Sequence, residues 1–323
     1  MLPFKLIYHE RYDLNLGAHV FPSQKYRFIE NKLAKDGIAE GGDFLRPEAA
    51  HDADILRVHS QEWVSKLKTG TLTFSDVMKL EVPYSPELVS AFWLAAGGTI
   101  LAAQSAMRDG FGCNIGGGFH HAHRAHGEGF CAIHDVAVAI RRLQADGAIR
   151  KAMVVDTDVH HGNGTAAIFA KDDSVFTLSI HQLNNYPAHK PPSNVDLDME
   201  DGVGDKKYLE TLLPAVRAAM DSFAAEMVFY VGGADPYRED QLGGLKLTME
   251  GLKARDAEVF GEARKRGVPV VTVLAGGYAR RVEDTVQIHV NTILAARDVA
   301  RRYRKEKKEG GGPPKAGRNG RTS

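Results

Sequence analysis

Residues 154–164 read VVDTDVHHGNG. An apolar run that ends in carboxylates and imidazoles has no packing reason to do so, because buried charge is unfavourable unless compensated. A metal ion is the natural compensation. Asp158 and His160 are spaced i, i+2, so on a strand both side chains leave the same face. A carboxylate oxygen and an imidazole nitrogen suit a borderline ion such as Zn2+, and would also accept Fe2+ or Co2+. Asp235, in GGAD (232–235), can supply a third ligand from a neighbouring strand. Three protein ligands leave a position open, the arrangement of a catalytic and not a structural zinc. Asp156 faces the same way as Asp158 and is placed to hydrogen-bond and orient a histidine. His120 and His121 follow the glycines of NIGGGFHH (114–121); neither is needed as a ligand, and one must take a proton from the attacking water. Tyr278 follows Gly276 and Gly277, and its hydroxyl can donate to an oxyanion. Together these groups describe metal-assisted hydrolysis of an amide or ester.

Some polar residues are read as bystanders. His123, His126 and His134 are expected to be structural or solvated. Cys131 reads as a small buried apolar residue. Residues Gly116 to Gly118 read as a tight turn, since the segment lacks both the Lys-Ser/Thr ending of a phosphate loop and the dinucleotide spacing.

Residues so far apart in sequence meet only where elements converge. Four apolar runs stand out: AMVVDTD (152–158), SVFTLSI (174–180), EMVFYVGGAD (226–235) and VPVVTVLAGGY (268–278). They lack clean alternation, as strands buried on both faces do. Each ends in site residues: Asp156, Asp158 and His160; Ser179 and His181; Gly233 and Asp235; Gly277 and Tyr278. In open α/β sheets, sites lie beyond the carboxyl ends of the strands. Between the runs, 206–226 places Leu209, Leu212, Leu213, Val216 and Met220 on one helical face, and 248–267 ends in Gly267 as a C-cap. Strands alternating with helices predict a three-layer α/β/α fold with a mainly parallel sheet.

The chain is 43% hydrophobic and 25% charged over 323 residues, with a formal net charge of zero. That is globular composition without the basic excess of a nucleic-acid binder. Two cysteines exclude a disulfide framework and suit a reducing cytoplasm. The stretch LVSAFWLAAGGTILAAQSAM (88–107) carries no charge and has the length of a membrane span. Its Ser90, Gly97, Gly98 and Gln104, and the absence of a flanking basic cluster, favour a buried helix. One domain over 1–300 is expected, followed by a basic, Gly/Pro-containing tail over 301–323 that reads as disordered.

At these residues the chain resembles the histone deacetylase superfamily of zinc-dependent amidohydrolases. The segments that carry the resemblance are GGGFHHAHRAHGEGFCAIHDVAVAI (116–140), VVDTDVHHGNGT (154–165), GGADPYREDQLGGLKLT (232–248) and LAGGYA (274–279). The likeness runs over roughly residues 10–297 and implies the arginase–deacetylase fold. It implies that Asp158, His160 and Asp235 hold zinc, that His121 is the general base with His120 assisting, and that Tyr278 polarises the carbonyl. Gly129 and Phe130 would wall an acyl-lysine channel, with Tyr186 on the opposite rim. A structural potassium ion would sit among Asp156, Asp158, His160, Ser179 and Ile180, mainly on carbonyls.

Two departures from the family pattern matter. Asn163 stands where many members place an aspartate beside the second histidine; it can fix a tautomer but raises basicity less. With LGAHVFPSQKY (16–26) it points to the class IV-like branch. No residue matches the acidic rim group that holds the substrate backbone in class I members. Related two-manganese enzymes need further carboxylates, where this chain has Gly162 and Tyr237, so one metal is the better count. The expected activity is removal of acetyl or other acyl groups from lysine side chains of proteins or peptides. The alternatives are deacetylation of polyamines or other small amines, and a non-catalytic acyl-lysine-binding module.

Overall fold

The computed structural model describes residues 1–308. Its centre is one sheet of eight strands: β1 (Lys5–Ile7), β2 (Phe44–Leu45), β3 (Phe111–Asn114), β4 (Ala152–Asp156), β5 (Val175–Gln182), β6 (Val195–Met199), β7 (Met227–Gly232) and β8 (Val270–Leu274). The order is β2-β1-β3-β8-β7-β4-β5-β6, and every neighbouring pair is parallel. Strands β4, β7 and β8 are buried at every residue, which explains their unalternating sequences. Strand β6 lies at the rim and alternates, with Asp196 and Asp198 exposed.

Among the described residues the sheet is accompanied by ten α-helices: α1 (Lys25–Lys35), α2 (Asp52–Ile55), α3 (Gln61–Thr69), α4 (Phe74–Leu80), α5 (Pro86–Asp109), α6 (Asp135–Ala145), α7 (Asn163–Phe169), α8 (Asp205–Ser222), α9 (Met249–Lys265) and α10 (Val282–Lys308). Helices α1, α8, α9 and α10 pack in series as one layer, and α2, α3, α5 and α6 form the other. The charge-free stretch is α5, which is long and apolar enough to cross a membrane; 83% of its most apolar window is buried inside the domain, against β1, β3, β8 and α6. Ser85 caps it by accepting from Leu88 N, Pro86 occupies its first turn, and Gly110 ends it in the left-handed region at φ 84°. Helix α9 matches its expected span, with Gly267 at φ 74° just beyond its end. Helix α8 is turned relative to expectation. Tyr208, Leu212, Val216, Ala219 and Met220 are buried, whereas Leu209 and Leu213 are only partly so. Residues 301–308, placed in the tail by sequence, continue helix α10; the remainder of that tail, 309–323, lies outside the described residues.

A buried polar network fixes the turn that follows β4. Thr157 Oγ1 donates to Tyr230 OH at 2.9 Å, and Tyr230 OH donates in turn to Asp256. Asp256 also accepts from Arg255 Nε at 2.9 Å and from Thr292 Oγ1 at 2.6 Å, while Arg255 Nη1 donates to the Thr157 carbonyl at 3.0 Å. Arg255 and Asp256 have no exposed side-chain surface. Removing one partner of such a pair strands the other charge, which costs about 3–5 kcal/mol. Arg255→Met should therefore lower the denaturant midpoint by a shift of that size in unfolding free energy. An unchanged midpoint would show that the pair does not anchor the turn.

Candidate active site

The site lies at the carboxyl ends of four adjacent strands, β3, β8, β7 and β4. The β3 loop carries the paired histidines, and a single carboxylate shapes it. Buried Asp135 accepts from Gly118 N at 3.0 Å, Phe119 N at 2.9 Å and Thr99 Oγ1 at 2.6 Å. Gly117 and Gly118 sit at φ 85° and 82°, where only glycine is comfortable, and a Cβ on Gly118 would stand 2.7 Å from that of Ala275. The loop therefore packs directly on the β8 turn and delivers His120 and His121 to the centre.

Asp158 and His160 were expected on a strand, but β4 ends at Asp156. They converge for a different reason. Asp158 N donates to Asp156 Oδ1 at 3.1 Å and His160 N donates to Asp158 Oδ1 at 3.0 Å, two successive side-chain turns that coil the backbone around its own carboxylates. Asp235 is brought in by the β7 loop, where its Oδ1 accepts from Val159 N at 2.8 Å. Gly276 N donates to Asp158 Oδ2 at 2.9 Å from the β8 loop.

Asp158, His160 and Asp235 place one donor atom each within 4.8 Å of one another, all buried. His160 Nδ1 lies 2.9 Å from Asp158 Oδ1 and 3.5 Å from Asp235 Oδ2. Asp235 Oδ2 is buried with no hydrogen-bond partner. A Cβ on Gly276 would fall 1.9 Å from that oxygen and 2.5 Å from Asp158 Oδ2, so the space beside them exists only because residue 276 is glycine. Burial first, then the Asp158 charge, pushes Asp235 up to about 7. Two buried carboxylates with an orphaned oxygen and an adjacent imidazole fit a divalent cation with one nitrogen and two oxygen ligands.

Two other groups among the described residues bring three donors together: His161, His181 and Asp196, and the partly exposed His123, His126 and Glu128. In the first, His161 Nε2 is paired with Asp196 Oδ1 at 3.2 Å and His181 with Ser179 Oγ at 3.0 Å, and the unpaired nitrogen, His161 Nδ1, is not the one that meets Asp196.

Around the carboxylates the expected residues take distinct electrostatic positions. His120 Nδ1 is 2.6 Å from Asp156 Oδ2, and its Nε2 is 3.8 Å from Asp158 Oδ1. Burial works against its charge, but Asp156 and Asp158 prevail and raise it to about 9. His121 Nδ1 meets Asn163 Oδ1 at 2.7 Å. Burial, reinforced by His120 and His160, lowers His121 well below the usual histidine range, so it is neutral and able to accept a proton. Burial, then Asp158 and Asp235, raises Tyr278 well above the usual phenol range, which keeps its hydroxyl a donor. Asp240 holds Tyr278 in place, accepting from its backbone N at 2.7 Å.

A pocket of about 230 Å³ opens above these groups, lined by Glu81, His121, Gly129, Phe130, His160, Asn185, Tyr186, Leu242 and Tyr278. Gly129 is at φ 52°, and a Cβ there would lie 2.8 Å from His121 Cδ2 and 2.9 Å from Tyr186 Cε1. The Phe130 and Tyr278 rings stand 6.0 Å apart, and Tyr186 lies edge-on to His121 at 5.0 Å. A larger groove, about 810 Å³, lies at the opposite end of the strands among Arg150, Lys151, Glu226 and Arg266, without comparable chemistry.

Sequence reading passed over Glu81, Asp240 and Lys25. Glu81 lies at the pocket mouth in the left-handed region at φ 58°, beyond the end of α4. Lys25 is fully buried and donates to the Ala275 carbonyl. Burial lowers it to about 8 against the pull of Asp235, Asp158 and Asp240. Asp240 lies within GGADPYREDQLGGLKLT (232–248) and Lys25 within LGAHVFPSQKY (16–26), but their types and spacing there point to no chemistry; Glu81 lies in no such segment. Ser179 and Ile180 lie beside the site, with Ser179 in register with Asp156. His134 is structural: its Nδ1 caps helix α6 by accepting from Ala137 N.

Sheet, helices and strand-end site define an α/β protein of the arginase–deacetylase fold. The solved HDA15 HD domain shares this fold with a TM-score of 0.76 at 24% identity, over 94% of this chain and 96% of that one. Residues 19–293 match the family described as the histone deacetylase domain, and the chain belongs to that family of hydrolases. It is 37% identical to an uncharacterized protein of Picosynechococcus over 92% of this chain and 99% of that one. It is 32% identical to histone deacetylase 2 of Arabidopsis thaliana over 87% of this chain and 77% of that one. It is also 31% identical to a probable deacetylase of Methanothermobacter thermautotrophicus, over 84% and 85% of the two chains.

Two outcomes are expected for metal binding. Asp235→Asn removes the orphaned charge and should abolish stoichiometric zinc binding measured by elemental analysis; full occupancy would exclude Asp235 as a ligand. The second concerns pH. Burial disfavours a charged His160, but its hydrogen bond to Asp158 and the nearby Asp235 carboxylate hold its proton up to about 10, and Asp235 keeps its own up to about 7. An ion must displace these protons, so zinc affinity should rise as pH increases from 6 to 8, with proton release in calorimetry. A pH-independent affinity would contradict this arrangement.

Proposed function

We propose that this chain is a zinc-dependent deacylase that removes acetyl or other acyl groups from lysine side chains. The observation that carries this reading is the arrangement at the pocket floor. Asp158, His160 and Asp235 converge there beside a neutral His121, a charged His120 and the Tyr278 phenol. When bound at the three ligands, zinc would polarise the acyl carbonyl and acidify a water molecule. Fe2+ or Co2+ suits the same donors.

The chain's own groups supply the remaining chemistry. His121 accepts the proton of the attacking water at Nε2, because its Nδ1 is committed to Asn163. Tyr278 donates its hydroxyl to the oxygen that gains charge as the carbonyl carbon becomes tetrahedral. His120, held by Asp156, delivers a proton to the departing amine. Gly129, Phe130 and Tyr186 exclude water along the aliphatic stem of the lysine. A potassium ion on the carbonyls of Asp156, Asp158, His160 and Ile180 with Ser179 is part of the same reading, supported by the pairing of Asp156 with Ser179. Two free, buried cysteines support a cytoplasmic setting.

Glu81 at the pocket mouth favours a second reading, in which the substrate is a cationic acylated polyamine or similar small amine. The test for both is turnover by the zinc-reconstituted chain on acyl-lysine peptides of increasing acyl length and on acetylated polyamines, with a hydroxamate as inhibitor. Peptide turnover supports the first reading and polyamine turnover the second; no turnover with zinc bound would leave an acyl-lysine-binding module. In the active case, Tyr278→Phe should lower kcat by about 100-fold to 1000-fold, as the loss of one oxyanion donor does, while zinc stays bound. Undiminished turnover would remove Tyr278 from the mechanism.

A further inference from the structure

We infer that Glu128 is a positioning residue for His121, supplying through the Asn163 side chain the negative charge that Asn163 itself lacks. The inference rests on the reading of His121 as the base. Asn163 Oδ1 faces His121 Nδ1 at 2.7 Å. The other end of the same amide, Nδ2, donates to Glu128 Oε1 at 2.7 Å and faces His123 Nε2 at 3.2 Å. An amide has one accepting end and one donating end, and an ionised carboxylate only accepts. With the carboxylate on one side, the amide must present its carbonyl to His121. That places the ring proton on His121 Nδ1 and leaves Nε2 with its lone pair. A flipped amide would set a carbonyl against a carboxylate and an N–H against a ring N–H.

The relay also carries charge. A donor engaged by an anion withdraws less density from its own carbonyl, so Asn163 Oδ1 becomes a stronger acceptor than an isolated amide. His121 thus feels part of a negative charge located one residue further away. Glu128 is itself held in place. His126 Nε2 lies 3.3 Å from its Oε2 and His123 Nε2 3.9 Å away, and the two rings stack at 4.4 Å and 11°. The hydrogen bond from His126, with those of Asn163 and Tyr186, outweighs burial and holds Glu128 at about 2, so it is ionised under any working condition. Glu128 immediately precedes Gly129, whose backbone turns against the His121 ring. One turn thus brings the channel wall and the anchoring carboxylate to the same histidine. His123 and His126, expected to be structural or solvated, have a role here: they hold this carboxylate.

Moving the charge tests the relay, in the full zinc-reconstituted chain with an acetyl-lysine peptide. Glu128→Gln keeps the size and removes the charge; kcat should fall about tenfold to 100-fold with little change in KM. Asn163→Asp alone sets two carboxylates at the Asn163–Glu128 contact and should also lower kcat. The double variant E128Q/N163D places the charge directly beside His121, with a side-chain amide left to donate to it, and should recover kcat above either single variant. A double variant no better than Glu128→Gln overturns the relay. A second readout needs no substrate: the 15N shifts of the His121 ring, assigned by comparison with His121→Gln. They should report the Nδ1–H form in the unaltered chain and a mixture in Glu128→Ala. An Nε2–H form in the unaltered chain also overturns it. Should the unaltered chain deacylate nothing while showing the Nδ1–H form, the deacylase reading fails and the anchoring by Glu128 stands.

Discussion

Two carboxylates, Asp158 and Asp235, are held next to each other with no solvent to separate their charges. Such a pair is unfavourable in isolation, and much of the surrounding structure answers to it. The backbone after β4 coils so that its own N–H groups face Asp156 and Asp158. The β8 loop contributes an N–H to Asp158 and a glycine that leaves room beside Asp235. The Arg255–Asp256 network holds Thr157 through its carbonyl and hydroxyl, which fixes the turn that carries Asp158 and His160. Buried Lys25, which donates to the Ala275 carbonyl, adds positive charge that answers Asp235 and Asp158.

The strands that build this site were legible because they are buried on both faces and end in unusual residues. Strands β4, β5, β7 and β8 all read as apolar runs; the loops after β4 and β7 bring Asp158, His160 and Asp235 together, whereas His181 on β5 pairs away from them with Ser179 and Asp198. The other four strands carried no such signal. Strands β1 and β2 have three and two residues, too few for any periodicity to register. Strand β3 is Phe-Gly-Cys-Asn, whose glycine and asparagine imitate a turn; Gly112 is there because a Cβ would meet the Ala102 carbonyl at 2.0 Å. Strand β6 alternates with aspartate and sits at the rim, where burial does not select its sequence. The turn of α8 by about one residue followed from Tyr208, an aromatic that replaced Leu209 against the core.

Asp158, His160, Asp235, His120, His121 and Tyr278 are legible from residue type and spacing, whereas Glu81, Glu128, Asp240 and Lys25 reach them only through three-dimensional proximity. Asn163 looked like a weaker aspartate, and only the fold shows Glu128 behind it. Glu128 is separated from Asn163 by 35 residues, and a lone glutamate before Gly-Phe offers no period or spacing to notice. Glu81 is in the same position, reaching the pocket mouth from a short helix whose end takes a left-handed turn. The gap between the two kinds of residue is physical. Metal ligands impose residue types, whereas a residue that supports another's orientation imposes only a place.

The strand order has a kinetic side. Strands β1 to β3 form one flank of the sheet and β4 to β6 the other, in the order they leave the ribosome, yet the two flanks do not touch. Strands β7 and β8, made last, insert between them. Long-range parallel pairing of this kind is slow to form because loop closure precedes its reward. The loops after these two strands carry Asp235, Gly276 and Tyr278, so the closing of the sheet and the completion of the site are one event. An unfinished chain lacks Asp235, one of the three clustered donors, and Tyr278 on the pocket wall, so the donor cluster is complete only once the last strands are in place.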